Sequence, residues 1–548
     1  MTASSDIEIG HVVEVNGERA LVELHVDTTV ALAEDYLPGQ PGSHVKIVVR
    51  DRSVIGIVSS ISMKDPHPSS ATGDTTCSTL GRKIANCILV GSMGAEGGFI
   101  RGVAVYPTVG QSVKMVRPDE LKSIFSEYNE YDFSFGHPSQ TADQRAYINV
   151  DRFFGQHIAV VGSTGCGKSC TVVSILQEAI RKYPDTHIVV LDLHGEYSTA
   201  FPDNVTRIEA DKVELPYWLL SFDEFQDLTI DMNEFSAKNQ ITILRDALVR
   251  AREGTVGSDR LRKGERVTAD SPIFFQIEDM LGQIRNWNIQ MVPNNDGDMQ
   301  PGPLYGEFDR FLLRLDSKVS DPRFRFMFSP STYTNNDSLV RLLREFLSID
   351  TGNRMAVVDL SGVPTEAVGV VAAVVSRIVF EFNLWNPERD RFPILLVFEE
   401  AHNYVPNRND YKLQAAKTAI ERLTKEGRKY GIGTIIVSQR PKELSETVLS
   451  QCNSFIAMRL TNPEDQAYVR KLVPDSLSGL MDMLPSLRTG EALILGDCVA
   501  LPTRVMIDCP NPKPTSSDVE FAKWWSSGIK EMDVDRIVRR WRARRKDL

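Results

Sequence analysis

The chain has 548 residues, 42% of them hydrophobic and 25% charged, and a formal net charge of -11; this is an ordinary soluble composition with room for two to four domains. The acidic balance excludes a protein that grips DNA over its outer surface, so any nucleic-acid contact must be local, the lining of a groove or channel. The seven cysteines (Cys77, Cys87, Cys166, Cys170, Cys452, Cys498, Cys509) are scattered without a CxxC, which argues against a disulfide framework or a zinc site and suits a reducing cytoplasm.

The opening "MTASSDIEIG" has neither the basic start nor the apolar block of a secretory signal. "HVVEVNGERALVELHV" is two alternating runs around Asn16-Gly17, which predicts a hairpin. "HVKIVVRDRSVIGIVSSI", "ANCILVGSM" and "GGFIRGVAVYP" repeat the pattern, so residues 1–110 read as a small β-barrel. Residues 111–150 read as a linker with one short helix near Leu121.

From Gln156 the period changes. "HIAVVG", "HIVVLDLHG", "MAVVDLSG", "PILLVFEE", "GTIIVSQ" and "SFIAMRL" are apolar, β-branched strands separated by helical stretches, which predicts a mostly parallel α/β sheet over 151–505. Between 215 and 348 the strands stop, and a polar, helical insertion is expected. No apolar run approaches the ~20 residues that span a bilayer. The last segment, 506–548, ends in a short basic helix in which Arg536, Arg539, Arg540, Arg542, Arg544 and Arg545 surround Trp541. It could touch phosphates, dock a partner or brace a neighbouring protomer.

"VVGSTGCGKSC" fits GxxxxGK[ST] between a strand and a helix, the context that defines a phosphate-binding loop. Gly162, Gly165 and Gly167 let the backbone curl so that N–H groups of Ser163 through Cys170 face phosphate, with Thr164 and Cys166 inside the turn. Lys168 is expected to reach the β- and γ-phosphates of ATP and Ser169 to hold Mg²⁺. Cys166, with positive neighbours, reads either as a reactive thiol or as a small residue in a serine's place.

Hydrolysis needs carboxylates. "ILLVFEEAHNY" supplies Glu399 and Glu400 at a strand end, starting from opposite directions if the strand alternation continues; Glu399 is assigned to the metal and Glu400 to the attacking water. Gln439 in "TIIVSQRP" is either a γ-phosphate sensor or a strand-end hydrogen-bonder. Arg422 and Arg428 in "ERLTKEGRKYG" are candidates for an arginine finger, Arg428 first, against the alternative that they complement a helix C-terminus. In "LDLHGEY", Asp192 is expected to support the nucleotide site, while a metal site on His194 with Asp192 and Glu196 lacks a second histidine. Arg408, Lys412 and Lys417 could line a DNA channel, or simply be solvated.

Together, the β-rich N-terminal region, "GSTGCGKS", "LDLHGEYS", "LLVFEEAHNY", "EGRKYGIGTIIVSQRP" and "SQCNSFIAMRLTNPEDQ" resemble the HerA family of FtsK-like ATPases. The likeness runs from the barrel through the core to about Gln466. It implies an α/β RecA-like P-loop ATPase core with a HAS-type barrel for partner docking, and a C-terminal segment bracing the neighbour. It also implies a cytoplasmic homohexamer that translocates double-stranded DNA with ATP and Mg²⁺, not at a membrane. The family works with an effector: a NurA-like nuclease, or in bacterial anti-phage defence a nuclease or a sirtuin-like NAD-consuming enzyme. One departure concerns subunit coupling, since many members carry Arg-His before the P-loop strand where this chain has Gln156-His157; Arg152 or another residue would have to compensate. Two other classes compete: an ATPase scaffold that assembles an effector without moving DNA, and a conjugation-type pump, against which the early barrel and the lack of a membrane segment count.

Overall fold

The computed structural model describes residues 7–543 apart from 26–39, 65–81, 95–97, 140, 142, 204, 210–213, 257–265, 409, 516–518 and 528–530. Cys77, Arg544 and Arg545 lie outside the described residues. The chain forms two compact units, Met1–Lys182 with Ser438–Lys442 and Cys452–Asn511, and Tyr183–Val437 with Glu443–Gln451 and Pro512–Leu548.

The first unit opens with strands β1 (Glu8–Asn16), β2 (Arg19–Leu24), β3 (His44–Val49), β4 (Arg52–Lys64), β5 (Arg82–Met93), β6 (Phe99–Arg101) and β7 (Ser112–Met115). Their order is β2-β1-β7-β3-β4-β5-β6, and a further β2–β5 pairing closes six of them into a barrel. Alternation explains the closure: Val12, Ala20, Val22, Val45, Ile47, Val54, Val58 and Val113 fill one interior cluster. The β1–β2 hairpin turns at Gly17, φ 55°, as the Asn-Gly pair predicts. β7 lies within the stretch expected to be linker, because four residues of "SVKM" are too short for their alternation to stand out. The expected helix is Pro118–Phe125, and Glu120 on it meets Lys46 of β3 at 2.7 Å in a largely buried ion pair.

The same unit holds β8 (Gly136–Pro138), β9 (His157–Val161), β17 (Cys452–Met458), β18 (Glu491–Gly496) and β19 (Thr503–Ile507), in the order β9-β17-β18-β19-β8. β9 and β17 are parallel, but β17–β18, β18–β19 and β19–β8 are antiparallel. Sequence reading did not foresee this antiparallel extension.

The second unit holds β10 (His187–Asp192), β11 (Val205–Glu209), β14 (Met355–Asp359), β15 (Ile394–Phe398) and β16 (Ile432–Ser438), ordered β11-β14-β10-β15-β16 and parallel throughout. The described residues of 215–348 are mainly helical, including Phe222–Thr229, Ala237–Thr255, Ile277–Asn288 and Asp309–Ser320. They also contain a hairpin of β12 (Met291–Pro293) and β13 (Met299–Pro301), so strands do not stop entirely there. The helix Thr365–Trp385 is long and apolar enough to cross a membrane by length and composition, which corrects the expectation that no run reaches that length. It is mostly buried within the protein, and its charged Arg377 is matched by Glu224, as a core helix requires. The tail contains the basic helix Val534–Ala543, in which Ile537 and Trp541 are exposed.

Candidate nucleotide site

The phosphate loop follows β9 directly. Gly162 donates to the Ser438 carbonyl at 3.3 Å, Ser163 to the Arg459 carbonyl at 2.8 Å, and Gly490 to the Cys166 carbonyl at 2.9 Å, so the loop is braced on three sides. A Cβ on Gly162 would stand 2.6 Å from the Cys166 sulfur, and Gly167 has φ 103°, which side-chain-bearing residues avoid. The helix Lys168–Lys182 starts at the loop, so its unpaired N–H groups and positive end face the turn. Lys168 is largely buried and its Nζ donates to the Ser163 carbonyl at 3.3 Å. Ser169 and Cys170 occupy the helix's first turn. Thr164 and Gly165 are exposed at the crest, and Thr164 Oγ1 donates to Gln439 Oε1 at 2.6 Å. Gln439 therefore reaches the loop itself.

Cys166 is fully buried against Met458. Burial raises its thiol pKa, and the charge of Lys168 only partly offsets the rise. Of the two readings, this burial favours the small residue in a serine's place over the reactive thiol, since desolvation outweighs the positive neighbour.

The acidic strand end belongs to the second unit. β15 stops at Phe398, and Glu399 and Glu400 lie in the turn that follows, both buried. Strand alternation therefore does not set their directions; Glu400 has φ 46° and ψ 48° and the chain reverses there. Glu399 Oε2 accepts from Leu193 N at 3.2 Å. Burial, then the neighbouring carboxyls of Asp192, Glu196 and Glu400, push Glu399 well above the usual carboxylate range, with Asp192 as its hydrogen-bond partner. Asp192, fully buried, accepts from Gly195 N at 2.8 Å, Glu196 N at 3.2 Å and Tyr197 N at 2.9 Å. Those three backbone donors hold the Asp192 carboxyl in place beside Glu399. Two buried carboxyls side by side fit a divalent cation, whose charge offsets the crowding that raises Glu399. His194 is exposed, and among the described residues no cluster of three His, Cys, Asp or Glu has metal-binding geometry.

Sequence reading missed the residues that support these glutamates. His402 Nδ1 is 3.3 Å from Glu400 Oε2, Asn403 Nδ2 donates to the Glu400 carbonyl at 3.0 Å, and Tyr404 donates its hydroxyl to the Glu399 carbonyl. Tyr197, fully buried, has a hydroxyl without a hydrogen-bond partner among the described residues, beside these carboxyls. The only sequence signal for them was their place in "EEAHNY" and "HGEY".

The two arginines differ. Arg422 pairs with Glu381 at 3.3 Å and stacks over the Phe380 ring at 4.3 Å, so its own chain holds it. Arg428 is exposed in the turn Gly427–Tyr430, and its side chain has no ion pair among the described residues. Arg408 is exposed, 3.9 Å from Asp410, while Lys412 is exposed and Lys417 half-buried. Arg152 donates at 3.5 Å to the Asp497 carbonyl.

Residues 133–379 match the family model described as the central domain of helicase HerA. Over 441 residues the chain is 28% identical to the DNA double-strand break repair helicase HerA of Sulfolobus acidocaldarius, covering 79% of this chain and 80% of that protein. The protein of the same description from Sulfurisphaera tokodaii is 25% identical over 519 residues, 91% of this chain and 94% of its own. Among solved structures, VirB4 of Thermoanaerobacter pseudethanolicus matches with a TM-score of 0.47 and 14% identity, over 69% of this chain and 96% of that one.

Proposed function

The chain belongs to the HerA family and is a P-loop ATPase, and from that premise we propose that it is a motor that uses ATP to translocate double-stranded DNA. The observation that carries this reading is the braced phosphate loop with Gln439 bonded into it, in a chain aligned over nearly its whole length to a DNA repair helicase.

Each residue has a role. Loop N–H groups from Ser163 to Cys170 cradle the phosphates, and Lys168 neutralises the terminal one. Ser169 and Glu399 would hold Mg²⁺, which supplies charge neutralisation of the phosphates when bound; Asp192 supports Glu399. Glu400 takes the proton of the attacking water, and Gln439 senses the γ-phosphate through the Thr164 contact. Arg428, not Arg422, acts across a subunit boundary, because Arg422 is already engaged with Glu381 and Phe380. The assembly is a cytoplasmic homohexamer. An effector, either a nuclease or an NAD-consuming enzyme in DNA processing or anti-phage defence, docks on the barrel.

Steady-state ATP turnover measured with and without duplex DNA tests the motor. Duplex DNA raises turnover, the stimulation falls steeply with salt, and Lys168→Ala leaves less than about a tenth of the parent rate. Turnover indifferent to DNA but raised by a bound effector would instead establish an assembly scaffold. A Lys168→Ala variant as active as its parent would remove the phosphate loop from the chemistry.

A further inference from the structure

A strand that ended by simple continuation would leave the second glutamate of "FEEAHNY" free to swing. Here the chain turns sharply at Glu400, whose backbone occupies the left-handed region at φ 46°. A side-chain-bearing residue stays there only when its surroundings hold it, and such outliers gather at functional sites. Three consecutive residues do the holding. Asn403 donates to the Glu400 carbonyl from its backbone N and its Nδ2, each at 3.0 Å. Tyr404, fully buried, fixes the Glu399 carbonyl. Those two residues secure the backbone, while the carboxylate needs a contact of its own. His402 supplies one: its Nδ1 stands 3.3 Å from Glu400 Oε2, and both side chains are about 10% exposed.

We propose that His402 is a positioning residue for ATP hydrolysis, holding the Glu400 carboxylate in the orientation that receives the proton of the attacking water. This rests on the reading of Glu400 as the general base. In the step it serves, the water oxygen bonds to the γ-phosphorus and the bond from that phosphorus to the β–γ bridging oxygen breaks. The electron pair leaves with ADP, and the water's proton passes to Glu400. A glutamate has three rotatable side-chain bonds, so an unheld carboxylate spends little time within hydrogen-bond reach of that water. Displacement of a reacting group by about 1 Å costs on the order of a hundredfold, and the His402 ring nitrogen addresses the carboxylate directly.

Turnover, ATP binding and thermal melting of the full chain are compared for His402→Ala, His402→Asn and Glu400→Gln. The amide nitrogen of Asn stands close to where Nδ1 was and is a donor that a carboxylate accepts. His402→Ala lowers kcat by at least about tenfold while KM for ATP and the melting temperature hold, and His402→Asn recovers most of the loss. A His402→Ala kcat within about twofold of the parent overturns the proposal. Equal impairment of both His402 variants with a lowered melting temperature also overturns it, since that marks a structural histidine. Glu400→Gln separates the two readings. If it stops turnover while His402→Ala does not, only the positioning role fails; if it turns over like the parent, the base assignment fails and His402 has nothing to position. Adding His402→Ala to Glu400→Gln should change nothing more, and a further drop in rate would place His402's action elsewhere.

Discussion

The thiol of Cys166 sits inside the phosphate loop two positions from Lys168, a setting that by charge alone would make it a nucleophile. It is nevertheless sealed between Gly162 and Met458, and burial raises its pKa. Treatment of the native protein with iodoacetamide should therefore label the exposed Cys509 well before Cys166, with ATP binding unchanged. Mass spectrometry showing Cys166 modified as quickly as Cys509 would reverse the order of the two effects. The residue scale is also where sequence reading divides most clearly. Gly162, Gly167, Lys168 and Ser169 were legible because a phosphate cradle demands fixed spacing. The directions of Glu399 and Glu400 were not, because alternation holds only while the strand lasts, and β15 ends at Phe398, before both. Their partners arrive by a turn that no periodicity announces.

Among the elements, the buried parallel strands were readable, since β-branched apolar runs such as "HIVVLD" and "ILLVF" have no other stable home. The burial of the helix Phe222–Thr229 was not, because its charged residues pass for surface ones. Glu224 binds Arg377 through two hydrogen bonds of 2.9 and 2.8 Å, 153 positions along the chain. One turn on, Asp227 Oδ2 accepts from Ala415 N at 2.7 Å, capping the helix Gln414–Glu426 that leads to Arg428. Burial pushes the Asp227 pKa up to about 7; the Ala415 N–H opposes the rise and Asp223, Glu224 and Asp410 add to it. The folded protein thus holds a proton that the unfolded chain releases at about pH 4. The stability this confers is complete below that pH and is lost as the pH rises through about 7. Asp227→Asn keeps an oxygen for Ala415 and carries no charge, so its melting temperature should gain on the parent's between about pH 4 and pH 7. A constant difference across that range would mean that Asp227 ionises as an ordinary exposed carboxyl.

For the molecule as a whole, a charge of -11 on a chain proposed to move DNA restricts where polyanion contact can occur and places weight on assembly. The proposed assembly would also give Arg428 a role. Arg428 stands exposed in its turn without an ion pair among the described residues, whereas Arg422 is held by Glu381 and Phe380. The sequence placed both arginines near one helix end and could not rank them by contact, because what separates them is packing against Glu381, 41 residues earlier in the chain. If Arg428 serves the nucleotide of an adjacent subunit, Arg428→Ala and Lys168→Ala proteins are each inactive when pure, for different reasons. In a mixed ring, some boundaries pair an intact phosphate loop with an intact arginine, so mixing the two should restore part of the ATP turnover. Arg422→Ala should instead lower the melting temperature slightly and leave turnover nearly intact, because its loss removes only a surface ion pair and a ring contact, on the order of 1 kcal/mol. Mixtures that stay as inactive as their components, under conditions in which subunits exchange, would confine the arginine's action to its own chain and remove the seam between neighbours from the mechanism.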